Sequence, residues 1–327
     1  FRSGVTQAVY LSKTVTIRGG YQAGNWETPS PATQPSTIDA EWKGRVLYIT
    51  GNISPTIEGL RMQRGAATGL KGGYRNEDAG GAVFVKDARG TLHNNVIMNS
   101  VATIVTNTFS SGGGVYLYSS SLTLRGNTVY SNSAEYGGGL LCRDGQPLLD
   151  ANGIVSNSAT FGGGVYLEQS APTIRGNWIM SNTASHSGGG IGTVFAEATV
   201  MSNTVQANVA AFGAGMSASG PATITHNVFA NNDASYGFGG ALHLTNNHGS
   251  QWITVRGNTI VGNRAAFGGG LVLAEYPIMI AANLVSGNTA SEGGAVWSGR
   301  TDTSFVNNAL IDNTATRAAA GIAIDAG

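Results

Sequence analysis

The 327-residue chain holds a single cysteine, Cys142, so no intramolecular disulfide framework can brace it. Charged residues make up only 11% of the sequence, and eighteen cationic side chains balance eighteen acidic ones. A zero formal charge with no basic stripe argues against a nucleic-acid partner, which demands a positive face. No apolar run reaches the length of a membrane-spanning helix, so no transmembrane segment is expected. The residues that favour helix, Glu, Lys and Leu, are scarce.

Glycine is abundant, with 49 residues, and it recurs in clusters at a fixed interval. Aligned on the residue closing each cluster, the register runs Ala82, Gly114, Gly139, Gly164, Gly190, Gly215, Ala241, Gly270, Ala295, Gly321, mostly in steps of 25 or 26 residues. A period of this size marks a solenoid in which each unit buries its apolar face only by stacking on the next. Inside a unit the apolar period is two, the period of a strand. Val115-Tyr116-Leu117, Leu140-Leu141-Cys142 and Val165-Tyr166-Leu167 read as first strands whose first and third residues point inward, which makes Cys142 a small buried hydrophobe. Leu122 with Leu124 and Ile278 with Ile280 continue the alternation as second strands, and Val129, Ile154 and Ile179 mark third strands. The pattern specifies an all-β parallel β-helix of three strands and about 25 residues per coil. We divide it into irregular coils over 1–79, with a Pro/Trp-rich loop at 20–44 too rich in proline for strand, and regular coils of the same continuous domain over 80–327. Insertions are expected at Gly65–Ala79, Thr103–Ser111 and Asn246–Gln251.

Each unit ends in two asparagines five apart, such as Asn127 and Asn132, Asn152 and Asn157, Asn177 and Asn182. Asparagine tolerates the left-handed backbone of a bend and hydrogen-bonds the loop backbone, so its copies should stack as ladders. Asn127, Asn152 and Asn177 should share one column facing the loop backbone. Arg125, Asp150 and Arg175 share an outward position in consecutive coils and should form a surface ion ladder with Asp150 between two guanidinium groups.

The Gly-Gly-Ala-Val/Leu clusters (Gly81-Ala82-Val83, Gly240-Ala241-Leu242, Gly294-Ala295-Val296), followed by apolar-x-x-Asn elements such as Val129-Tyr130-Ser131-Asn132, resemble the repeats of polymorphic outer-membrane proteins. More widely they resemble the right-handed parallel β-helix repeats of bacterial secreted surface proteins. Ile17-Arg18-Gly19-Gly20-Tyr21 and Arg45-Val46-Leu47-Tyr48-Ile49 are similar to secreted β-helix proteins of the Chloroflexota type. The resemblance spans nearly the whole chain and implies an extracellular or cell-surface location, with adhesin or passenger-domain roles among the relatives.

The functional expectation is a structural or adhesive surface module without catalysis, cofactor or metal. The column three residues before the register point, Tyr136, Phe161, Phe212 and Phe267 with Tyr236 in a similar turn, forms a candidate platform for surface glycans or another protein. The alternative is a polysaccharide lyase or glycoside hydrolase of the pectate-lyase-like type, because the same fold carries both. Its acidic or Ca²⁺ pair would be Asp144 and Glu168, on the turn after the first strand in neighbouring coils, beside Arg143. His186 and His243 lie in other columns. Val5–Leu11 and Gly321–Ile324 read as ordinary coil sequence, and strand edges left open there would favour self-association as a filament, or cover by further chain.

Overall fold

A computed structural model of the chain describes residues 6–103, 109–245, 252–275, 277–299 and 302–325. They wind into twelve coils. The first strands of the coils, from Gln7–Leu11 to Ile322–Ile324, line up as a twelve-stranded sheet. The second and third strands form two eleven-stranded sheets, and all three sheets are parallel. No helix occurs among the described residues, so none is long and apolar enough to cross a membrane. The register follows the sequence period: Val115 pairs with Leu140 and that with Val165, and Leu117 with Cys142 and that with Leu167.

Alternation decides which face is buried. Val115, Leu117, Leu140 and Cys142 of the first sheet, Leu124, Leu149 and Ile174 of the second, and Val129, Ile154 and Ile179 of the third meet in one apolar column. Burial pushes the Cys142 thiol up to about 12, so it stays neutral there.

The bends are closed by two polar ladders running inside the protein. In one, Asn127 Nδ2 donates to Asn152 Oδ1 at 3.0 Å and to the Leu92 carbonyl at 2.8 Å, while its backbone N–H donates to the same Asn152 Oδ1 at 2.9 Å. Asn152 repeats the arrangement with Asn177, and Asn177 with Asn203. The second ladder links Asn132, Asn157 and Asn182 in the same way. All six are buried. The first ladder begins one coil earlier than the repeated asparagine pairs, at Asn95, whose Nδ2 donates to Asn127 Oδ1. In that coil Ser100 stands where the second asparagine would be, and its N–H donates to Asn132 Oδ1.

The first glycine of each cluster sits in the left-handed region, as at Gly137 (φ 65), Gly162 (φ 64) and Gly188 (φ 66). A Cβ on Gly162 would also lie 2.6 Å from the Cβ of Tyr166. The 20–44 segment departs from its expected form. Ser36–Asp39, directly after Pro35, is a strand that pairs with Leu60–Gln63 and opens the third sheet. An edge strand tolerates an adjacent proline because one side of it makes no ladder bonds. The 65–79 insertion folds over the outer face of the first sheet, where Tyr74 N–H donates to Tyr116 Oη at 3.1 Å and Arg45 Nε to the Ala79 carbonyl at 2.9 Å. The insertion expected at 246–251, residues 104–108 of the one at Thr103–Ser111, and Val5 lie outside the described residues.

Candidate ligand-binding surfaces

Four of the five rings expected in one column stand in it, together with two others. Tyr136 stacks on Phe161 at 5.1 Å between centroids, Phe161 meets His186 at 4.8 Å with a 42° tilt, and His186 stacks on Phe212 at 5.0 Å. Phe212 then stacks on Phe238 at 5.6 Å and Phe238 on Phe267 at 4.8 Å. Tyr236 is not a member; it is fully exposed. The left-handed glycine of that coil is Gly239, so the register places Phe238 in the column and leaves Gly237 inside the strand Asp233–Phe238. His186 enters through a bulge that aligns Phe161 with Ser187 and gives its strand an extra residue. The sequence carried a signal for Phe238, three residues before Ala241, but none for the ring of His186.

This spine touches a second set of rings on the outer face of the first sheet. There Tyr10, Tyr48, Phe84 and Tyr116 stack at 5.5, 4.8 and 5.4 Å. Further along the same face, Tyr166 lies 5.4 Å from Tyr136, and His243 meets Phe212 edge-on at 5.4 Å. Burial, and then the nearby His186, push His243 down from the ordinary value of 6.5 to about 4. The stacked rings cover one another's faces and turn edges to solvent. Such a column stiffens the bend but gives a sugar ring no open aromatic face.

Arg143 and Glu168 are in direct register and form an ion pair through Nη2 and Oε2. Arg143 is a strand residue, 5% exposed, and its guanidinium lies 4.4 Å from the centroid of the Tyr74 ring. Tyr74 belongs to the folded-over 65–79 segment, so this cation–π contact and the Tyr116 hydrogen bond clasp that segment to the sheet. The expected pairing of Asp144 with Glu168 is not formed. Register places Arg143 opposite Glu168 and leaves Asp144 level with Gln169 at the bend. A carboxylate held by a buried guanidinium is a poor free base or cation ligand. Among the described residues no three His, Cys, Asp or Glu side chains converge as a metal site.

Asp144 instead lines an open cleft of 730 Å³ along the bend between the first and second sheets, with Arg89, Gln146, Gln169 and Glu197. On the outer face of the second sheet the ion ladder takes its expected form. Asp150 lies between Arg125 at 3.6 Å and Arg175 at 3.1 Å. The column extends further than expected, through Glu58, which sits 3.3 Å from Arg18 and 3.4 Å from His93 Nδ1.

Two overlapping matches to a family model, over residues 45–247 and 114–310, describe a right-handed β-helix region. The chain belongs to the right-handed β-helix family. Comparison with curated proteins gave no match, and neither did comparison with solved structures. Family membership fixes the winding of the chain and leaves its chemistry to its own residues, since this fold serves enzymes and non-enzymes alike.

Proposed function

We propose that this β-helix is a non-catalytic structural and adhesive module of an extracellular or cell-surface protein, a stiff rod whose flanks carry its contacts. The observation that carries the reading is the fate of Arg143 and Glu168. They are bound to each other and, through Tyr74, to the segment that folds over the sheet. Glu168, one carboxylate of the candidate acidic pair, and Arg143 beside it are thus spent on holding the fold. The repeated asparagines and rings support the same reading, because they tie neighbouring coils together at two of the three bends.

The polysaccharide-cleaving alternative draws on the open cleft beside Asp144. One experiment separates the two: incubate the purified chain with neutral and acidic polysaccharides and measure both retention on the polymer and the release of new reducing or unsaturated ends. Retention without release is the expected result. Release abolished by Asp144→Asn or Glu168→Gln would overturn the proposal.

A further inference from the structure

The cleft that holds Asp144 does not end at Glu197. A second hollow of 300 Å³ shares Glu197 with it and continues past Thr199 and Thr223 to Trp252. Together they make one groove along the solenoid axis, from Arg89 to Trp252. Its side chains come from equivalent positions of successive coils, at a coil spacing of about 4.8 Å. That spacing is close to the length of one pyranose unit in an extended chain, so neighbouring sugars would meet neighbouring coils.

The chemistry of the groove is selective. Asp144, Gln146, Gln169 and Glu197 are exposed donors and acceptors suited to hydroxyl groups. One cation, Arg89, faces two carboxylates, Asp144 and Glu197, a balance that does not favour a polyanion. At the far end Trp252 is 47% exposed and stacks on no described ring, unlike the rings of the spine. Asp144 and Gln169 also hold their places at left-handed backbone angles, φ 52 and φ 47. At the other two bends the left-handed residues are mostly Gly, Ala, Ser or Asn, whereas this bend also spends the conformation on Asp87, Asp144, Gln169 and Phe195. A long side chain kept where a small one is easier points to a use for that side chain.

We propose that this groove binds a linear, neutral, hydroxyl-rich glycan lying along the solenoid axis, with Trp252 stacking on a sugar ring and Gln146 and Gln169 bonding its hydroxyls. The proposal rests on the adhesive reading above and deepens it by naming the ligand class and the face. The test is affinity electrophoresis in gels containing a soluble β-1,4-linked glucan or mannan, with polygalacturonate as the anionic comparison. The wild-type chain should be retarded by the neutral polymer and not by the polyanion. Trp252→Ala, and separately the double variant Gln146→Ala/Gln169→Ala, should each weaken retardation at least about tenfold, with unchanged circular dichroism and melting. Tyr236→Ala, an exposed aromatic away from the groove, should not. No retardation by either neutral polymer, or retardation that survives both groove variants, would overturn the proposal. Adhesion of the whole chain to glycan-coated surfaces is measured in parallel. Adhesion that persists in the groove variants removes the groove and spares the adhesive reading, whereas a wild-type chain that adheres to nothing removes both.

Discussion

Asn177 shows how much one residue holds in this fold. Its Nδ2 donates to Asn203 Oδ1 and to the Leu149 carbonyl, both at 2.9 Å, while its Oδ1 accepts from the backbone and side chain of Asn152. Truncation would leave those partners buried and unpaired, at about 1–3 kcal/mol for each group that finds no replacement. We expect Asn177→Ala to lower the denaturant midpoint far more than Asn308→Ala, because Asn308 is half-buried and, as the last described rung, donates to no further asparagine, so fewer buried groups lose a partner. Equal losses would refute the ladder as a source of stability. Glycine acts through backbone conformation. Gly162→Ala meets both a left-handed backbone, costing roughly 1–2 kcal/mol, and the Tyr166 side chain. Gly164→Ala meets the Gly190 carbonyl at 2.6 Å but no left-handed backbone, and Ala82, Ala241 and Ala295 already occupy its register position, so it should cost less; thermal melts of the two variants check the order. His243 makes the stability sensitive to pH. A folded value of about 4 against 6.5 means that the unfolded chain binds the proton first. Stability from this group is therefore complete above about pH 6.5 and falls as pH drops toward about 4. Denaturation of His243→Phe at about pH 7 and about pH 5 should show a smaller acid loss than wild type.

At the scale of elements, the inner faces were legible and the outer ones only partly. Period-two apolar alternation dictates which side chains of Val115–Tyr118 or Leu140–Arg143 enter the core, so strands and core follow from sequence. The 20–44 segment hid the strand Ser36–Asp39 because its prolines cluster before the strand and not within it. The aromatic column was legible except where glycine multiplicity obscured the register, at Phe238, and where a bulge brought in His186. Asp144 and Glu168 do not pair because the strands align at an unbroken 25-residue register, which sets Arg143 opposite Glu168. The groove was missed altogether, since its residues share a place in space but no common residue type. If the spine braces the bend, Phe238→Ala should raise hydrogen exchange in the neighbouring coils, and Tyr236→Ala should not. Matching protection in both variants would contradict that role.

For the whole molecule, eleven steps of about 4.8 Å give an axis of roughly 50 Å. Small-angle scattering should return an elongated particle of about that length, and a compact sphere would refute the stacked arrangement. Each coil contacts its neighbours, so unfolding should spread from weaker coils into stronger ones and need not be two-state. The asparagine ladders add a property that coils and sheets lack. Every link runs in one sense: the amide of the earlier coil donates and that of the later coil accepts, from Asn95 through to Asn308 and from Asn132 through to Asn313. Sheet dipoles largely cancel, whereas these side-chain dipoles, about 3.5 D for each amide unit, add head to tail with their positive ends toward the C-terminal coils. The rod is therefore electrically polar along its length. A further coil continues the two hydrogen-bonded chains only in the same orientation, and a reversed one would set donor against donor or acceptor against acceptor.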